Sequence, residues 1–179
     1  MKEGRSKEDG LMQKSFSLCP CRAWENIKAF PRNALLYFVL GIFVFWLDQE
    51  VKKIIVDGFR YEGSVISIVY VLNKGVAFSL FAFLGEWLKW IQLVIVVLLG
   101  YIVLTFQDFL RQDSLPFALI IGSGVSNLYD RFTNGGVVDY VYWHYGFEFA
   151  IFNLADVFIN IGIALFVLKL LFKKKTLIP

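Results

Sequence analysis

A chain with several long, strongly apolar runs has few folds open to it. Such runs match the hydrocarbon thickness of a bilayer, which takes about 20 helical residues to cross. This sequence has four. ALLYFVLGIFVFWL (34–47) is short alone, and continuing the helix through DQEVKKIIV (48–56) supplies the length. WLKWIQLVIVVLLGYIVLTF (87–106) is long enough by itself, and Trp87, Trp90 and Tyr101 suit interfacial anchoring. SLPFALIIGSGVSNLY (114–129) is rich in small residues and ends at Asp130-Arg131. Its Gly122, Ser123, Gly124 and Ser126 would let neighbouring helices come close. AIFNLADVFINIGIALFVL (150–168) is closed by KKK (173–175). Composition agrees, since 58% of residues are hydrophobic, against about 45–50% in soluble domains. The expected fold class is an all-α integral membrane protein with four transmembrane helices, at about 34–56, 87–106, 114–131 and 150–170.

The connecting segments are shorter and β-like. GSVISIVYVLNKGVAFSLF (63–81) is rich in β-branched and aromatic residues and is broken at Asn73-Lys74-Gly75. It reads as two short strands around a turn, a small β-rich cradle between spans one and two. RFTNGGVVDYVYWHYGFEF (131–149) has a turn signal at Asn134-Gly135-Gly136, followed by strand-like VVDYVYW.

Lys and Arg set the orientation. Twelve of the eighteen lie in residues 1–33, in the short loop 107–113 or in the tail after 168. With four spans these regions share one side, and the positive-inside bias makes it the cytoplasm. Segments 57–86 and 132–149 then face outward. The formal net charge of +3 is modest, so the basic ends read as topology signals and not as a nucleic-acid surface. Residues 1–33 form a charged cytoplasmic extension, poorly ordered over about 1–30; residues 34–172 form the membrane domain, and 173–179 a basic cytoplasmic tail. No Ala-x-Ala pattern follows the first apolar run, so it does not read as a removed signal peptide. Cys19 and Cys21 are too close for an easy structural disulfide, and no second pair completes a metal site. They are bystanders, or juxtamembrane thiols that are acylated or bind metal.

The topology gathers acids at one depth. Asp48 lies near the outer end of span one, and Asp130-Arg131 at the outer end of span three. Asp139 lies just before span four and Asp156 in its first turns. An ionised acid at membrane depth costs about 3 kcal/mol or more, so Asp156 demands a reason. Two neighbouring carboxylates cannot easily both ionise, and they share a proton. One can then act as base on a water while the other, protonated, polarises a scissile carbonyl. Little else is available, because the chain has one histidine, His144, no HExxH and no cysteine beyond its N-terminal segment. Simpler readings stand beside this one. Asp48 and Lys52 can pair at i, i+4, and Asp130 can pair with Arg131. Asn73 can mark a turn, Asn153 can cap a helix, and Asn160 can bond across helices. A small ion-coupled carrier using Asp48 and Asp156, or an assembly factor with interhelical ion pairs, also fits the acids.

Four motifs in order resemble the lipoprotein signal peptidases, the bacterial signal peptidase II family, over roughly residues 34–172. DQEVK (48–52) matches that family's Asp-Gln-x-x-Lys. NKGVAF (73–78) resembles its Asn-x-Gly-Ala-Ala-Phe, with Val76 in place of alanine. GSGVSNLYDRFTNGGVVDY (122–140) is similar to its Asn-Leu-x-Asp-Arg…Gly-x-Val-x-Asp-Phe block, and FNLAD (152–156) matches Phe-Asn-x-Ala-Asp. The resemblance implies a membrane aspartic endopeptidase with catalytic Asp139 and Asp156. Asp48, Lys52, Asn73, Asn127, Asp130, Arg131 and Asn153 would shape its site. It implies diacylglyceryl-modified prolipoprotein substrates, cleaved before the lipidated cysteine near the outer face of the bacterial inner membrane. It implies no metal or organic cofactor, no nucleic acid, and partners limited to substrate and membrane lipids. A monomer suffices. Ser126 and Ser123 stand where the family favours glycine, so a backbone with positive φ would be less comfortable there.

Overall fold

The computed structural model describes residues 20–75 and 82–175. In chain order they form α1 (Pro20–Ala29), α2 (Pro31–Val56), β1 (Ile66–Asn73), a 3-10 turn (Ala82–Leu84), α3 (Trp87–Thr105), α4 (Gln107–Thr133), β2 (Val137–Trp143) and α5 (Leu154–Lys175). Three of these helices are long and apolar enough to cross a membrane: α2, α3, and α5 over Leu154–Phe172. Their outward faces carry large apolar side chains such as Ile42, Phe43, Val94, Ile95, Ile163 and Leu171. That is the pattern of a helix whose solvent is lipid.

The fourth expected span, 114–131, lies within α4, which is not among the three, because Ser, Gly, Asn, Asp and Arg dilute its apolar character. It is instead the central helix, packed against α2, α3 and α5. Small residues make this possible. A Cβ on Gly122 would stand 2.5 Å from the Gly41 carbonyl oxygen, so α2 and α4 cross glycine on glycine. A Cβ on Gly162 would stand 2.7 Å from the Pro116 carbonyl oxygen, so α5 reaches α4 in the same way. Ser123 and Ser126 are fully buried within regular helix. The expected discomfort of serine at a positive φ does not arise.

Residues 107–113, expected as a loop, are helical. Phe106 alone is extended between α3 and α4. The break falls at Asp113 (φ −122°, ψ 18°). Pro116 has no N–H to offer the carbonyl four residues back, that of Gln112. Lys169 of α5 takes that carbonyl as acceptor and pairs with Asp113 at 2.7 Å.

Residues 20–29, expected to be poorly ordered, form α1. It folds onto the end of α3, where the Asn26 side chain donates to the carbonyls of Leu104 (2.9 Å) and Thr105 (2.7 Å). These are among the last carbonyls of α3, which have no partner within the helix. Cys21 is disulfide-bonded, against expectation; Cys19 lies outside the described residues, as do the rest of 1–19 and the tail 176–179.

β1 finds its partner across the chain. It pairs antiparallel with β2, with Val71 opposite Asp139 and Asn73 opposite Val137. The second strand expected in 63–81, with Val76 of the NKGVAF motif, falls in 76–81, outside the described residues. The expected helical stretch 150–170 begins later, at Leu154, because Phe152 bridges to Val141 as an extra extended residue. Val138 and Tyr140 enter an apolar cluster with Ile55, Val51 and Leu154. Alternation along β2 therefore turns Asp139 to the opposite face.

Candidate active site

The N-terminus of α5 organises the site. Asn153 caps it: its side-chain oxygen accepts from the Asp156 N–H (2.9 Å), and its own N–H donates to Asp156 Oδ2 (3.2 Å). This is a reciprocal capping box. The remaining free amides also have partners. Leu154 N–H donates to the Tyr140 hydroxyl (3.0 Å) and Ala155 N–H to Asp48 Oδ1 (2.9 Å). Burial pushes the Tyr140 phenol upward, so it stays a neutral hydroxyl in that role.

The Asn153 amide group faces the other way and donates to Asp139 Oδ1 at 2.7 Å. It also lies 3.1 Å from Asn127 Oδ1 and 3.3 Å from the Val138 carbonyl. One residue thus touches both expected catalytic acids. Asn127 is a second link, donating to Asp156 Oδ1 at 2.9 Å. Asn73 donates to the other oxygen of Asp139 (2.9 Å) while its own side-chain oxygen accepts from Gly75 N–H (2.9 Å). Its turn role and its site role therefore coexist. Burial lifts the Asp139 carboxyl to about 6; the Asn73 bond opposes this, the Asp156 charge adds to it, and the Asn153 bond and Lys52 oppose it.

Beneath this pair lies a buried ion cluster. Lys52 Nζ donates to Asp48 Oδ2 (2.7 Å), Asp130 Oδ2 (2.8 Å) and Asn127 Oδ1 (2.9 Å), using all three protons. The i, i+4 pair Asp48–Lys52 thus forms, but it is buried, not solvated. Asp48 also accepts from the Ser126 hydroxyl (2.6 Å), and Asp130 from Gln49 Nε2 (2.9 Å) and Val138 N–H (3.1 Å). The alternative pairing of Asp130 with Arg131 is not what forms, because successive helical residues point apart. Arg131 instead donates through Nε to Gln92 Oε1 (2.7 Å) and through NH2 to the Gly75 carbonyl, holding the turn after β1.

Asn73, Asn127, Arg131, Asp139 and Asp156 open onto a cavity of about 500 Å³ that Gln92 and Asn160 also line and whose other walls are apolar, including Leu88, Ile91, Ile95 and Ile159. Ser67 Oγ and His144 Nε2 are 3.0 Å apart, but neither lines this cavity. Among the described residues, no group of three or more His, Cys, Asp or Glu side chains is arranged to hold a metal ion.

The geometry on its own describes two neighbouring acids, Asp139 buried and Asp156 half-buried, on one largely apolar cavity. Comparison supplies the lineage. The family model described as "Signal peptidase (SPase) II" matches residues 40–172. The chain belongs to the signal peptidase II family. A lipoprotein signal peptidase of Wolinella succinogenes is 52% identical over 145 residues, 78% of this chain and 97% of that protein. One from Helicobacter pylori is 44% identical over 149 residues, 83% of this chain and 95% of that protein. A solved bacterial membrane enzyme, determined by the in meso method at 2.3 Å resolution, superposes with a TM-score of 0.70 at 25% identity. That similarity covers 79% of this chain and 91% of that one. With its apolar helices, this signal peptidase II relative is a multi-pass membrane protein.

Gln49, Gln92, Ser126 and Tyr140 hold the network together although motif reading did not single them out for it. Gln92 could have been found, since a lone amide in an apolar span is the same kind of signal as Asp156. Tyr140 offered no such signal, because aromatic residues are ordinary in strands.

Proposed function

We propose that the protein is a membrane-embedded aspartic endopeptidase that removes signal peptides from diacylglyceryl-modified prolipoproteins by cleaving before the lipidated cysteine. The observation that carries this is that buried Asn153 hydrogen-bonds at once Asp139 and Asp156, which both line one cavity. The relatives' name, lipoprotein signal peptidase, supports the substrate class.

Asp139, lifted toward neutrality, holds the shared proton, and Asp156 acts as base. A water between them attacks the scissile carbonyl carbon, giving a proton to Asp156 while Asp139 protonates the carbonyl oxygen. The resulting gem-diol collapses: the leaving amine takes the proton from Asp156, and a hydroxyl returns one to Asp139. No covalent intermediate is needed. Asn153 and Asn127 hold the pair in register, Asn73 steadies Asp139, and Lys52 offsets the charge of Asp48 and Asp130. Arg131 keeps the turn after β1 over the cavity.

In this reading α4 is the fourth span, its polar residues tolerated because they face neighbouring helices. Residues 34–172 form the catalytic domain between a cytoplasmic extension and tail. Both termini are cytoplasmic, the β1–β2 sheet lies at the outer face of the bacterial inner membrane, and one chain suffices. The test is cleavage of a diacylglyceryl-cysteine peptide by purified protein in detergent. Asp139→Asn and Asp156→Asn should each lower turnover by at least 10³-fold, on the order expected for loss of an acid–base group. Near-wild-type turnover by either variant refutes the dyad.

A further inference from the structure

Asn160 is a polar residue within the apolar stretch of α5 that this mechanism leaves unused. It lies four residues after Asp156, one helical turn or about 6 Å along the axis. Its side chain is exposed on a helix long and apolar enough to cross a membrane. Among the described residues nothing hydrogen-bonds it. An amide facing hydrocarbon without a partner is costly, so a partner arriving from the lipid side would be favoured.

The surroundings limit what that partner is. Asn160 lines the 500 Å³ cavity that holds the two aspartates. It also lines a second cavity of about 420 Å³ on α5, walled by Phe149, Phe152, Val157, Ile161 and Ala164. Asp156, Asn160, Phe149 and Phe152 border both. A ligand reaching from one cavity to the other therefore passes the Asn160 amide. It must be apolar at its far end, suit an acid pair at its near end and offer a hydrogen-bond acceptor between. An acyl ester has that order of groups. In a glyceryl thioether of cysteine, the ester carbonyls follow the scissile amide by a short spacer, matching one helical turn.

We infer that Asn160 is a specificity-determining residue whose side-chain amide donates a hydrogen bond to an ester carbonyl of the substrate's glyceryl lipid, with the acyl chain lying along the 420 Å³ groove. This rests on the peptidase reading above.

The test compares two synthetic cysteine peptides, one S-diacylglyceryl and one S-dialkylglyceryl, whose ether oxygens are poor acceptors. Wild-type protein should favour the diester in kcat/KM by roughly 3- to 10-fold, the worth of one hydrogen bond. Asn160→Leu, or Asn160→Ala if leucine impairs folding, should bring that ratio close to one. Equal wild-type rates on the two peptides, or a variant that keeps the diester preference, overturns the Asn160 assignment alone. Wild-type protein that cleaves neither peptide overturns the peptidase reading, and this inference with it.

Discussion

Replacing Lys52 with methionine tests the buried ion cluster with little change of volume. Lys52 is 2% exposed and gives its three protons to Asp48, Asp130 and Asn127 at 2.7–2.9 Å. Charge-assisted bonds contribute about 1.5–3 kcal/mol each, so simple addition would suggest roughly 5–9 kcal/mol. That overstates the loss. Asp48 keeps Ser126 and Ala155 as donors, and Asp130 keeps Gln49 and Val138. What remains is the penalty for two buried carboxylates without their cation, about 3–5 kcal/mol. Equilibrium unfolding in mixed micelles, followed by tryptophan fluorescence at pH 7, measures it. Adding Asp48→Asn to Lys52→Met should restore on the order of 1–3 kcal/mol, since coupled neighbours do not add. A single variant within 1 kcal/mol of wild type, or a double variant with purely additive losses, would refute the idea that Lys52 is the counter-ion.

Three further outcomes are expected. With Asp139 as the proton holder at about 6, its competent form is lost as pH rises through that value, and kcat/KM should fall about tenfold per pH unit on the alkaline side. Asn73 hydrogen-bonds the charged carboxylate and holds its pKa down, so Asn73→Ala should move that limb to higher pH; a shift to lower pH counts against the contact. Gly122→Ala and Gly162→Ala should each destabilise by about 1–3 kcal/mol through forced separation of α4 from α2 or α5, visible in the same unfolding assay, whereas Gly124→Ala, whose Cβ would meet only Val96 at 3.4 Å, should be nearly silent.

Much of this was legible in the sequence because membranes make sequences simple. The apolar runs located α2, α3 and α5 within a few residues, and the motifs named Asp139, Asp156 and their polar neighbours. The failures have identifiable causes. The turn at Phe106 looked like a loop because Gln107, Asp108, Arg111, Gln112 and Asp113 are polar, yet the first four lie in helix and Asp113 marks its break. The pairing of β1 with β2 joins segments more than sixty positions apart, and nothing local in either strand specifies its partner. The choice of Lys52 over Arg131 as partner for Asp130 depends on side-chain direction across helices, which spacing alone does not fix. Gly41 and Gly162 passed unremarked, since their importance appears only when the opposing backbone is in place.

The sheet has a consequence for how the protein comes to life. β1 leaves the ribosome well before β2, and the residues that cap α5 come later still. Until β2 follows, Asn73 has no carboxylate to hold, and until Asn153 follows in turn, Asp139 lacks its second amide partner. A chain stalled after α4 would hold neither Asp139 nor Asp156. Under the function proposed above, an incomplete copy lacks Asp156 and so cannot cut its neighbours.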